Sequence, residues 1–151
     1  MPVQSSERAK GRAAGAGTGV VLSGAVQPEI YNLEMASRNE RVFSMPVSSV
    51  YPLYLEKVRR KGRTQEELDQ VIGWLTGIDG DELRRHLAEE TTFRDFFAEV
   101  TLNPNAPQIT GVICGMRVED IEDPLMQKIR YLDKLVDELA KGKAMGKVLR
   151  A

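Results

Sequence analysis

A nucleophile, a cation and a run of carboxylates crowd into one short stretch near the end of this sequence. Cys114, the only cysteine, lies between Ile113 and Gly115; Arg117 is the nearest cation in sequence, and Glu119, Asp120, Glu122 and Asp123 follow. A thiol becomes a useful nucleophile when a base or a positive neighbour favours the thiolate. Glycines at 111 and 115 would let a ligand or another backbone come close to it. Cys114 and Arg117 are therefore the catalytic candidates. Against them stands a simpler reading, a small thiol filling a core position. The only histidine, His86, lies in Arg84-Arg-His86, with no sequence reason to meet the cysteine. The four carboxylates could hold a hard divalent cation through oxygen. Their placement ahead of and inside a helix's first turn is equally explained by the positive end of that helix, and the spacing is not that of an EF-hand. One histidine and one cysteine so far apart build no zinc site within one chain, so neither a metal nor a cofactor is expected.

Two further groups of residues carry recognisable chemistry. Lys57, Arg59, Arg60, Lys61 and Arg63 form a basic cluster with Tyr51 and Tyr54 behind it, the nucleic-acid-binding candidates if those charges meet phosphates. The same charges suit the negative end of a helix. The helices expected on either side of Gly77 also mimic a helix-turn-helix, but Asp79, Asp81 and Glu82 would put carboxylates where a recognition helix meets DNA. Nucleic acid is therefore not the favoured partner. Gly111-Val-Ile-Cys-Gly115 and Gly77-Ile-Asp-Gly80 lack the Lys-Ser/Thr of a phosphate loop and the three-glycine dinucleotide fingerprint, and both are read as backbone devices.

The elements that must position these residues are helices. Ser49 is a candidate cap for a helix near 48–61, with Pro52 in its first turn, Val50, Tyr54 and Val58 on one face and Gly62 as a stop. Thr64 and Glu67 make a capping box ahead of Leu68, Val71, Ile72 and Leu75, which predicts a helix over 65–76. Asp79 and Glu82 repeat the pattern, with Ile78 able to staple onto Leu83, for a helix over 80–90 packed beside its predecessor. Thr92 and Asp95 begin a short helix over 93–99 whose three phenylalanines belong in the core. Two prolines then break the chain in Leu102-Asn-Pro-Asn-Ala-Pro107. The residues 109–115 are the one place where a strand fits, being β-branched and bounded by glycine. Asp123 and Pro124 open a helix over 124–141, with Leu125, Ile129, Leu132, Val136 and Leu139 on spacings of four and three. That seam is too short to argue a coiled coil against a core-facing stripe. Lys141, Lys143 and Lys147 suit its negative end.

Composition sets the remaining bounds. With 151 residues, 42% hydrophobic and 28% charged, the chain can bury one ordinary core. A net charge of −1 gives no whole-protein field to concentrate nucleic acid or an anionic membrane. A single cysteine excludes an intrachain disulfide and suits a reducing, cytoplasmic interior. No apolar run reaches bilayer length, so no membrane partner is expected. Residues 1–40 are expected to be a disordered extension or a mis-assigned start, the first 28 being rich in Gly, Ala and Ser. A start at Met35 would make 1–34 an upstream artefact. Arg8, Lys10 and Arg12 before Ala13 to Leu22 imitate a signal peptide, but Gly15, Gly17 and Gly19 leave its middle weakly apolar.

Several strings then occur in one order: Arg41-Val-Phe-Ser-Met45, Val50-Tyr-Pro-Leu-Tyr54, Lys61-Gly-Arg-Thr64, Trp74-Leu-Thr-Gly77, Leu102-Asn-Pro-Asn105, Ile109-Thr-Gly-Val-Ile-Cys-Gly115 and Ile129-Arg-Tyr-Leu-Asp-Lys134. Over residues 41–151 the chain resembles a bacterial family catalogued as domain of unknown function 2200. The resemblance implies a soluble bacterial domain and names no catalytic residue. The fold expected is mainly α, a single domain of about five helices over 41–151 with one short extended segment near 109–115. Since no complete active-site constellation is present, the leading expectation is a non-enzymatic interaction or regulatory module, with a protein partner or self-association. The alternatives are a small enzyme with a pocket around Cys114 and a nucleic-acid binder using the 57–63 cluster.

Overall fold

A computed structural model describes residues 28–150. The chain divides into two compact units, residues 1–40 and 41–151. In the first, the described residues 28–40 belong to helix α1 (Pro28–Phe43), where sequence patterning suggested no element. Pro28 at its first position and the helix formers Glu29, Leu33, Glu34, Met35, Ala36 and Arg38 supply propensity without a clear apolar stripe. The signal-like segment and the rest of 1–27 lie outside the described residues.

The second unit is helical, with one small hairpin. Its helices are α2 (Val47–Arg59), α3 (Gln65–Thr76), α4 (Gly80–Ala88), α5 (Phe93–Glu99), α6 (Pro124–Ala140) and α7 (Met145–Val148), with single 3-10 turns at Ala106–Gln108 and Val118–Asp120. Strands β1 (Val112–Ile113) and β2 (Met116–Arg117) pair antiparallel, Val112 opposite Arg117 and Ile113 opposite Met116. The expected extended segment is thus split by a turn.

Caps set most of these boundaries. Thr64 accepts from the Glu67 N–H while the Glu67 carboxylate takes the Thr64 N–H, closing the capping box of α3. Asp79, Thr92 and Asp123 cap α4, α5 and α6 by accepting the N–H of Glu82, Asp95 and Met126. Helix α2 departs from expectation. Ser49 lies inside it and its hydroxyl donates back to the Pro46 carbonyl at 2.8 Å, while Pro46 occupies the cap position in extended conformation. The start is fixed by tertiary pairing instead: Val47 N–H donates to Thr91 O and Phe93 N–H to Met45 O, stitching the beginnings of α2 and α5 together. Pro52 consequently falls inside the helix rather than in its first turn.

Helix α6 is the hub, packing against α2, α3, α5, α7 and the hairpin. Ile129, Leu132, Val136 and Leu139 of the expected seam are at most 2% exposed, joined by Leu135, while Leu125 is partly buried, so the seam is a core stripe. Each fully buried aliphatic side chain of that stripe contributes roughly 1.5–3 kcal/mol. Phe93, Phe96 and Phe97 close one side; the Phe96 ring meets Phe97 edge-on at 5.2 Å. The short link from α3 to α4 does not make them close partners: α3 packs on α2 and α6, and α4 on α2. Only Leu83 and His86 of α4 are buried, and the buried apolar residues of α3 form the stripe Leu68, Val71, Ile72 and Leu75. Gly73 lets the link fold back, since a Cβ there would stand 2.9 Å from the Ile78 carbonyl oxygen. Asn103 then caps the end of α3, its backbone N–H on Leu75 O and its amide on Trp74 O.

Candidate functional site

The hairpin that carries Cys114 is the most constrained surface feature. Its two-residue loop, Cys114 and Gly115, has positive φ at both positions, 53° and 79°, the pattern of a type I′ turn that matches the twist of paired strands. Asparagine, aspartate or glycine ordinarily occupies the first of these positions, so a cysteine there is held at a conformational cost. Gly111, at φ 111°, opens the hairpin. Its N–H donates to Glu119 at 3.0 Å and its carbonyl accepts from Val118. That backbone hydrogen bond, with help from Arg117, holds the Glu119 carboxyl below its ordinary range. Lys134 of α6 donates to Val112 O at 3.1 Å, and its Cε and Nζ would stand 3.1 and 3.2 Å from a Cβ on residue 111.

Cys114 is exposed, neither inside the core nor beside the histidine. The cation that reaches it is Arg130, with Nη1 3.4 Å from Sγ. Arg117, its neighbour in sequence, turns to Glu119 at 2.9 Å. Arg130 in turn binds Asp133 at 2.7 Å, and Asp133 accepts the hydroxyl of the buried Tyr54. Burial disfavours the Arg130 charge, but Asp133 more than offsets it and the guanidinium is held protonated. Burial, then the adjacent Asp133, pushes the Tyr54 phenol well above its ordinary range. A chain of four polar groups thus runs from the surface thiol to the α2–α6 interface. It contains a nucleophile and a cation, while its carboxylate is already committed to two donors.

The other sequence candidates disperse. Of the basic cluster, Lys57 pairs with Asp137 at 3.2 Å, Arg60 with Glu56 at 3.0 Å and Arg63 with Glu67 at 3.4 Å, leaving Arg59 and Lys61 exposed beside them. Pro52, Leu55, Glu56, Arg59 and Arg60 line a shallow concavity on α2 itself. Among the carboxylates, Glu119 braces the hairpin and Asp123 caps α6, so those two do structural work. Lys141 and Lys143 pair with Asp137 and Glu138.

Residues 41–150 match the model of a family described as an uncharacterized protein conserved in bacteria, DUF2200. The chain belongs to this family. A solved relative, the crystal structure of uncharacterized protein SP1917, is 45% identical, covers 73% of this chain and 91% of its own, and superposes with a TM-score of 0.69. No functionally curated protein matches. No helix among the described residues is long and apolar enough to cross a membrane.

Sequence reasoning missed two groupings in this DUF2200 protein. Arg130 was hidden because it reaches Cys114 from sixteen residues away on another element. Glu82, His86 and Glu99 converge, one ligand-type atom from each within 4.8 Å of the others. The spacing of Glu82 and His86, one turn apart on α4, was a visible signal for two of those three residues. Glu99, from α5, was not.

Proposed function

We propose that this protein is a non-enzymatic cytoplasmic interaction module that presents the Val112–Arg117 hairpin to a protein surface. One observation carries this reading: a strained two-residue turn is braced from α6 by Lys134 and Arg130 while it keeps apolar side chains in water. Val112 is 53% exposed and Met116 37%, and both flank a non-glycine residue at φ 53°. Backbone strain at an exposed site persists where surrounding contacts enforce it, and such sites concentrate at binding surfaces. Braced loops lose little entropy on association, which favours recognition. The polar chain behind Cys114 supports the brace rather than a reaction, because Asp133 is engaged by Arg130 and Tyr54 and supplies no base to the thiol.

The test compares the full chain with a Val112→Asp/Met116→Asp variant of matched helicity, by sedimentation velocity and by affinity capture from a bacterial lysate. Association that depends on the hairpin, with a second copy or with a captured protein, supports the proposal. Indistinguishable sedimentation and capture profiles would overturn it.

A further inference from the structure

The convergence of Glu82, His86 and Glu99 is independent of the hairpin and has a different chemistry. His86 is fully buried, although its neighbours Arg85 and Glu89 are exposed. Its ring stands edge-on to Phe96 at 5.1 Å. Nδ1 lies 3.0 Å from Thr91 Oγ1, whose residue is also bound through its backbone N–H to His86 O. Nε2 faces the exposed side chains of Glu99 and Arg85, 3.5 Å from Glu99 Oε2 and 3.4 Å from Arg85 Nη2. A guanidinium can only donate, so the tautomer that accepts from Arg85 through Nε2 is the one with its proton on Nδ1, towards Thr91. This is how a metal-binding imidazole is held: one nitrogen fixed by a hydrogen bond, the other presenting a lone pair.

A cation already occupies the focus of the group. Arg85 Nη2 binds Glu99 closely, lies 3.7 Å from Glu82 Oε2 and contacts the imidazole. Those charges, with Glu99 foremost, raise the Arg85 pKa further above its ordinary value. The guanidinium also has an alternative berth, since Nη1 pairs with Glu89 at 3.2 Å. Two carboxylates balance the charge of a divalent ion where they are only half balanced by one arginine.

We propose that Glu82, His86 and Glu99 form a binding site for a divalent transition metal of the zinc class, which displaces Arg85 towards Glu89. One imidazole nitrogen with two carboxylate oxygens matches borderline ions such as Zn²⁺ better than Mg²⁺ or Ca²⁺, which favour all-oxygen sets. Three protein ligands leave a fourth tetrahedral position to water. Both glutamates come from side chains about half exposed, so they can close from the present 4.8 Å spread to the separations that a metal–ligand distance of about 2.0–2.2 Å requires.

The test is isothermal titration of the full chain with ZnCl₂, read alongside the His86 ring resonances by NMR. The expected result is one site per chain that shifts the His86 signals. Binding should weaken at least about tenfold in Glu99→Gln, tighten in Arg85→Met and stay unchanged in Cys114→Ser. Glu99 is at the surface, so its variant remains informative even if His86→Gln fails to fold. The proposal is overturned if zinc leaves the His86 resonances unmoved, if Glu82→Gln and Glu99→Gln bind as well as the wild type, if Cys114→Ser abolishes binding, or if Mg²⁺ binds equally well.

Discussion

Removing the Arg150 side chain should expose how strongly the carboxyl end of α6 depends on one buried ion pair. Glu138 is only 6% exposed, yet it receives Arg150 Nη1 and Nη2 at 2.6 and 2.8 Å, with Lys143 at 3.4 Å. Burial alone would raise the Glu138 pKa; the bidentate Arg150 contact outweighs burial, and the carboxyl sits below its ordinary value of 4.5. Truncating one partner of a buried pair costs about 3–5 kcal/mol, because the other charge is left buried and unpaired. Lys143 remains nearby and 40% of its side chain is in water, so Arg150→Ala should cost about 2–3 kcal/mol at pH 7, a fall in Tm on the order of 10 °C. The main-chain anchor from Asn105 to Arg150 O is untouched by this change.

The pH dependence gives the sharper test. A carboxyl whose pKa is depressed on folding contributes stability that is present above its unfolded pKa and lost as pH falls through the folded value. The wild type therefore loses this contribution below about pH 4.5. The variant has little of it to lose, so the two stability curves should converge in acid. Urea unfolding followed by Trp74 fluorescence between pH 7 and pH 3 measures both quantities. A deficit below about 0.5 kcal/mol, or one that stays constant down to pH 3, would refute the reasoning.

The hairpin and the second tyrosine of α2 supply the remaining predictions. Cys114→Asn places at φ 53° a residue that tolerates the left-handed region and should stabilise the fold by roughly 0.5–1 kcal/mol; a lower Tm would show that the Arg130–Sγ contact outweighs the backbone strain. Burial and the hydrogen bond to Asp69 push the Tyr51 phenol up to about 12. Folding therefore favours the protonated phenol, and the associated stability, on the order of 1–2 kcal/mol, is present below pH 10 and lost between about pH 10 and 12. Thermal melts with ultraviolet titration should show that loss in the wild type, and Tyr51→Phe should remove it; an unchanged alkaline limb in the variant assigns the loss elsewhere.

Much of the helical scaffold was legible because its signals are local. The caps and the 3.6-residue stripes are satisfied by residues within one or two turns, so α3, α5 and the start of α6 lie where Thr64, Thr92 and Asp123 place them, although the box expected at Asp79 and Glu82 forms only its Asp79 half. The start of α2 was misplaced because its determinant is a backbone pairing between Pro46 and Thr92, far apart in sequence. Helix α1 lacks the apolar stripe that the periodicity argument requires. The partners of Cys114 and His86 were invisible for the same reason as that pairing.

The sequence by itself determined membership of the DUF2200 family, the helical class and the stripe of α6 that becomes the core, because these depend on residue order and short-range spacing. Only the tertiary structure decided that Arg130 rather than Arg117 meets the thiol, that the glycine-bounded segment is a short strand ending in a hairpin turn, and that Glu99 joins Glu82 and His86. Those contacts form between elements, and a side chain's choice among several oppositely charged partners is settled by packing geometry, which residue order does not encode locally.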